Sequence, residues 1–202
     1  MTSRENQPVA ASPRGDSRYT WEDTIAAIGK DFSGGKKRVA QETIDPTAVS
    51  RYCEVWEIGN PNYWYKDAAK QAGYRGLVVP WNAIKQTFSY KGFWRQRDPS
   101  RFPVGTDVND MTASAFDEDE SGEVVPMPPI TQVIVTDVQI DFFEPACVGD
   151  RLTIQGNRLA NVRPRKTRIG IGAFINNEND IYNQRGELVA RVNQGMYSYN
   201  PE

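Results

Sequence analysis

The strongest constraint on the fold is a two-residue alternation of apolar and polar side chains in the last third of the chain. Ile134, Val138, Ile140 and Phe142 share one parity, with Asp137, Gln139 and Asp141 between them; Leu152 and Ile154 alternate likewise with Arg151 and Thr153. Ile169, Ile171, Ala173 and Ile175 form a third set. Leu188, Ala190, Val192 and Met196 form a fourth, reached through the turn-rich Asn183-Gln184-Arg185-Gly186. Successive side chains on a strand point to opposite faces, so each set predicts a half-buried strand and the short turn an antiparallel meander. A sheet with one apolar face needs a second layer to cover it.

Helical signals upstream supply that layer. Residues 20–32 (TWEDTIAAIGKDF) predict a short helix, and 36–44 (KKRVAQETI) a first strand that runs into Ile44-Asp45-Pro46. There Asp45 reads as an N-cap and Pro46 as the first helical residue. Val49, Tyr52, Cys53 and Trp56 then follow the i, i+3, i+4, i+7 spacing of a buried helix face. Gly59, Pro61, Gly73 and Gly76 break the pattern, predicting a long loop that holds one short helix from Asp67 to Gln71. A second helix, Pro80 to Tyr90, is apolar over much of its surface (Trp81, Ala83, Ile84, Phe88), as suits a helix enclosed by a sheet. The expected architecture is α+β, a single domain over residues 20–202 in which a curved antiparallel sheet wraps one central helix. Residues 1–19 mix charges with Pro, Ser and Gly and hold no apolar stretch for a signal peptide, so they read as a disordered tail.

Composition narrows the function. With 24 basic and 26 acidic residues the net charge is -2, which gives no general attraction to nucleic acid or anionic membranes. No run approaches the roughly 20 apolar residues of a membrane span. The two cysteines, Cys53 and Cys147, sit in apolar contexts and suit a reducing cytoplasm. The chain has no histidine, which excludes Ser-His, Cys-His and His-based zinc or acid/base chemistry within it. Four cysteine ligands, a Walker motif and a dinucleotide fingerprint are also missing, so neither metal nor cofactor is expected. Between Phe102 and Gly149 there is no Lys or Arg, while Asp107, Asp110, Asp117, Glu118, Asp119, Glu120 and Glu123 crowd the first half of that stretch. This predicts an acidic loop at about 104–128, a mobile surface in the plain reading and a lid or partner contact in the other.

Three stretches, NPNYWYKDAAKQAGYRGLVVP, FFEPACVGDRL and KTRIGIGAFINNENDIYNQRGELVARV, in this order resemble the MaoC-type acyl dehydratases, in particular the amino-terminal, fatty-acid-synthase-like dehydratase branch. The likeness spans most of the folded chain. It implies a hot-dog fold and (R)-specific hydration of enoyl thioesters. Active members carry an Asp and a His around an Asn-Pro pair. With Asn60-Pro61 as anchor, the Asp position falls on Ile58, the glycine before it on Glu57 and the His position on Tyr63. Hydration needs a base to activate water and an acid to protonate carbon. Ile58 can do neither, and a phenol with an ordinary pKa near 10 is a poor base at neutral pH. No catalytic residue is expected here.

Binding is what would remain. Amides at the start of an enclosed helix can hold a thioester oxygen, and Gly76 with the following turn is assigned that place, or else simply ends the loop. Tyr63, Trp64, Tyr65, Trp81, Phe88, Phe93 and Trp94 would line an acyl channel or serve as core and interface; Tyr63, Gly76 and Trp81 form the candidate substrate-binding set. Arg163, Arg165, Lys166 and Arg168 would contact coenzyme A phosphates, or form a solvated strand edge. The resemblance implies the non-catalytic partner in a heterodimeric or heterotetrameric hydratase. A second hot-dog subunit would supply Asp and His, and the substrate would be an acyl-CoA or acyl-carrier thioester of fatty, steroid side-chain or polyketide type. Two alternatives stay open: a homodimer that binds an acyl thioester without transforming it, and a His-independent thioesterase using Glu54, Glu57 or Asp67.

Overall fold

The computed structural model describes residues 15–40, 42–89 and 122–201. Helix α1, Trp21–Ala26, starts at a capping box in which the Thr20 hydroxyl accepts from the Asp23 amide and the Asp23 carboxylate accepts from the Thr20 amide. Strand β1 is only Lys37–Val39. The chain leaves the ladder there, although Ala40 and Ile44 still donate backbone hydrogen bonds to Leu152 and Asp150. Helix α2, Pro46–Val55, begins as expected, with the Asp45 carboxylate accepting from the amides of Thr47 and Ala48. Its buried face is Val49 and Cys53. Trp56, expected on that face, is the C-cap and is 63% exposed, because the helix has ended one residue before it.

A 3₁₀ turn, Pro61–Tyr63, and helix α3, Lys66–Gln71, fill the long loop. The central helix departs from a regular α-helix. It is a 3₁₀ turn, Trp81–Ala83, running directly into a π-turn, Ile84–Phe88, and Tyr90 lies outside the described residues. Four strands follow: β2 (Gln132–Phe142), β3 (Thr153–Thr167), β4 (Gly170–Tyr182) and β5 (Leu188–Asn200). They form one antiparallel sheet with β1 in the order β1-β3-β4-β5-β2. The meander is therefore β3-β4-β5, and β2 crosses over to pair with β5, leaving it on the edge of the sheet.

One face of the sheet receives the central helix. Ala83, Ile84 and Phe88 pack with Ile181, Ala190 and Val192, and the same cluster takes in Val49 and Cys53 of α2. A second cluster, Phe32, Leu159, Val162, Ala173 and Ile175, continues the core toward the other end of the strands. Ile169 and Ile171, expected with Ala173 and Ile175, are largely exposed, since Ile169 sits in the β3–β4 turn and Ile171 immediately after it. On β2, Val138, Ile140 and Phe142 stand opposite Gln194, Val192 and Ala190 and face the helix. Ile134 does not join them. The register slips between Val135 and Asp137, so Thr136 is the extra residue of a bulge, and Ile134 lies opposite Tyr197 on the outer face. Gly195 makes room for this: a Cβ there would run into the side chains of Asp137 and Thr136.

The loop between β2 and β3 is held by a buried carboxylate. Asp150 is 1% exposed and accepts hydrogen bonds from Arg75, Arg185, Gln184 and the Cys147 amide. Burial by itself would raise its carboxyl, but the hydrogen bonds from Arg75, Arg185 and the Cys147 amide outweigh it and hold the group below the usual carboxylate range. Replacing Asp150 by Ala leaves Arg75 and Arg185 facing a void and is expected to cost about 3–5 kcal/mol in urea unfolding. A carboxyl that binds its proton more weakly when folded contributes fully above its unfolded value, about 3.9, and loses that contribution as pH falls through the lower folded value. Stability of the native chain should therefore drop below about pH 4, and the curve for Asp150→Asn should be flatter over that range.

Candidate functional site

Ile58 and Tyr63 are placed by how α2 ends. The amide of Glu57 donates to the Glu54 carbonyl and that of Ile58 to the Cys53 carbonyl, at 3.2 and 2.9 Å, the paired bonds of a Schellman motif. Its left-handed position falls on Glu57, with φ of 51°, the one non-glycine residue with positive φ among those described. This is the position matched to a family glycine. The turn is made here with an L-residue in the left-handed position. The residue after such a turn tends to be apolar and to pack back on the helix, and Ile58 does so, joining the cluster that contains Cys53. The Trp64 indole donates to the Ile58 carbonyl at 2.7 Å, fixing the loop from the far side.

Asn60 then starts the 3₁₀ turn, its side chain accepting from the Asn62 amide, and the turn delivers Tyr63 half-buried onto the same cluster. Burial, with smaller contributions from Cys53 and Tyr74, pushes the Tyr63 phenol up from its usual value, and its hydroxyl has no hydrogen-bond partner among the described residues. The two positions that the resemblance matches to the catalytic Asp and His thus both pack on this cluster, one an apolar side chain and the other a phenol further from ionising than usual. Glu54, Glu57 and Asp67, the acidic alternatives, are all exposed, and no hydrogen bond aims any of them at this cluster.

Gly76 is not at the start of the central helix. Its amide is directed at the Cys147 sulfur, in a short stretch where Val148 donates to Leu77 and Val79 to Ala146. The helix begins four residues later at its N-cap, Pro80. The amides of Trp81 and Asn82 find no acceptor among the described residues, so the free donors sought at Gly76 are there instead. Trp81 packs edge-to-face on Phe142 of β2, with centroids 4.9 Å apart. One turn on, the Lys85 ammonium donates to the Gln194 side chain at 2.8 Å, and burial lowers its pKa. Phe88 is core, Trp64 and Tyr65 flank the loop, and Phe93 and Trp94 lie outside the described residues, as does the acidic loop up to residue 121.

Arg163, Arg165, Lys166 and Arg168 are exposed at the β3–β4 hairpin. Arg165 lies level with Gly172 and Tyr199, whereas Phe142, which carries Trp81, lies level with Ala190. Nine strand residues separate those rows, roughly 30 Å. The basic cluster and the Tyr63–Trp81 region are at opposite ends of the sheet.

Residues 26–192 match the family described as FAS1-like, dehydratase domain region. The chain belongs to that family. It is 25% identical over 169 residues to a probable enoyl-CoA hydratase alpha subunit from Thermomonospora curvata, covering 83% of this chain and 49% of that one. It is 24% identical over 180 residues to the 3-oxo-4,17-pregnadiene-20-carboxyl-CoA hydratase alpha subunit of Mycobacterium tuberculosis, covering 89% and 52%. The chain spans about half the length of these curated relatives. Among solved structures, the ChsH1-ChsH2 complex from Mycobacterium tuberculosis superposes with a TM-score of 0.63 at 22% identity, covering 90% of this chain and 96% of that one. A MaoC-like dehydratase from Rhodospirillum rubrum gives 0.52 at 18%, covering 87% and 94%. The fold is the hot dog.

Two substitutions test the local account. Glu57→Gly removes the left-handed strain of an L-residue and is expected to stabilise the chain by about 0.5–1 kcal/mol in chemical denaturation. Trp64→Phe leaves the Ile58 carbonyl without its donor and should destabilise it by about 1–2 kcal/mol.

Proposed function

We propose that this chain is the pocket-forming, non-catalytic subunit of a heteromeric enoyl-thioester hydratase, completed by a second hot-dog chain that supplies Asp and His. The observation that carries this reading is the placing of Ile58 and Tyr63 on one apolar cluster, where Ile58 can transfer no proton and the Tyr63 phenol, pushed up by burial, is a poor base at neutral pH. A loop that had lost all use would be free to lose its shape as well. This one keeps the Schellman turn even at the cost of a left-handed glutamate.

The open edge supports the partner. Among the described residues β2 has no neighbour on one side, and Val135, Val138, Phe142 and Phe143 are 39–58% exposed along or beside it. An edge strand of this length with apolar side chains is a site for strand addition. Because Trp81 rests on Phe142, a subunit joined there would sit beside the start of the central helix. Tyr63 and Trp81 would form the wall of an acyl pocket, and the amides of Trp81 and Asn82, in place of Gly76, would receive the thioester oxygen. The relatives' names favour an acyl-CoA substrate. The basic hairpin has no contact with this pocket, and a phosphate role for it rests on charge alone.

The isolated chain is expected to give no turnover of crotonyl-CoA or longer enoyl-CoA substrates in an absorbance assay. A 1:1 complex with a hot-dog chain bearing Asp and His should hydrate them, lose activity when either partner residue is replaced, and keep it with Tyr63→Phe in this chain. Turnover by the isolated chain, or loss of the complex's activity with Tyr63→Phe, would remove the non-catalytic assignment.

A further inference from the structure

We infer that the outer face of β2 selects a non-identical partner, repelling a second copy of this chain and fitting an edge strand that presents Lys or Arg. The inference rests on the reading of β2 as the joining edge. Beyond the bulge, Asp137, Gln139 and Asp141 stand opposite Gly195, Asn193 and Arg191 and share the outer face. Among the described residues the cation facing them is Arg191, opposite Asp141, and it is shared with other carboxylates. Arg191 is engaged by both oxygens of Asp180 and lies 3.5 Å from Glu178, which also pairs with Arg158. Among the described residues Asp137 accepts from the Thr136 hydroxyl and Asp141 from the Gln139 side chain, both neutral donors. The stretch from Phe102 to Gly149, which contains all of β2, has no Lys or Arg.

Two copies joined antiparallel about a two-fold axis must match inner face to inner face, because any other register drives Val138 and Ile140 onto the polar side. The faces match only when the axis passes through a residue. With the axis at Asp137, Gln139 or Asp141, carboxylates fall directly opposite one another, about 5 Å apart at Cβ. With the axis at Val138 or Ile140, they fall on the diagonals, about 7–8 Å apart. Every face-matched register centred between Asp137 and Asp141 thus sets like charges together, whereas a strand with basic residues on its outer face turns each of these contacts into an attraction.

The test uses the full chain and two of its variants in sedimentation velocity, with circular dichroism to verify that each is folded. Asp137→Lys/Asp141→Lys is the charge-reversed copy, and Asp137→Asn/Asp141→Asn the neutral one. The native chain alone and the Lys variant alone should stay monomeric, while their mixture forms a 1:1 dimer. The neutral variant should self-associate at least about tenfold more tightly than the native chain. If the native chain dimerises as tightly as the mixture, and a shared Gln139→Cys cross-links the copies through β2, the edge reading stands and the charge selection is wrong. If no combination pairs, including the neutral variant, the edge reading itself fails and the inference falls with it.

Discussion

The buried carboxylate of Asp150 is the interaction on which the arrangement around the central helix depends. Three parts of the chain distant in sequence meet on it: the loop carrying Arg75, the turn from Ala146 to Asp150, and the β4–β5 hairpin carrying Gln184 and Arg185. The amide of Val79 and the carbonyl of Leu77 bond to that same turn, so the approach to Pro80 is fixed relative to the sheet before the helix begins. A buried charge of this kind adds little net stability over an apolar replacement, but once present it tolerates few other geometries. It acts as a positional constraint more than a source of energy.

Much of this was legible in the sequence because local signals and global packing agree. Asp45-Pro46 starts α2 where capping chemistry requires, Asn183 to Gly186 make the hairpin turn, and the alternation of β4 and β5 gives the face that receives Ile84. Three features were not legible, each for a physical reason. The bulge at Thr136 leaves the parity of apolar residues apparently intact while reversing its meaning, so Ile134 looked like a companion of Val138. The 3₁₀ and π turns of the central helix differ from an α-helix in hydrogen-bond span, not in composition. The Asp150 cluster draws on Arg75, 75 positions before Asp150, and Arg185, 35 after it, and no local pattern announces such a meeting.

The candidate site was legible in a different sense. The resemblance anchored on Asn60-Pro61 points to Ile58 and Tyr63, and packing explains why such residues suit those places: one closes a helix end, and the other packs on the cluster that holds Cys53. The helix start at Pro80 was legible, but the free amides were sought four residues earlier, at Gly76, a glycine whose conformation any residue could adopt. Its φ is not positive, and nothing lies within 4 Å of where a Cβ would be. Glycine in a loop marks freedom of the backbone, not the place where that freedom is used.

The bulge at Thr136 also governs how the edge of the sheet can change over time. Residues on either side of it follow opposite counting rules: Val133 and Val135 share a face with Val138 and Ile140, although their numbers have different parity. Deleting Thr136 would merge the two rules without moving either part, since Val135 and Asp137, already opposite Met196 and Gly195, would become ordinary neighbours. A residue lost elsewhere on the strand would put the stretch between that point and the bulge on the wrong faces until the bulge shifted to absorb the change. The bulge is thus the place where β2 can change length at least cost.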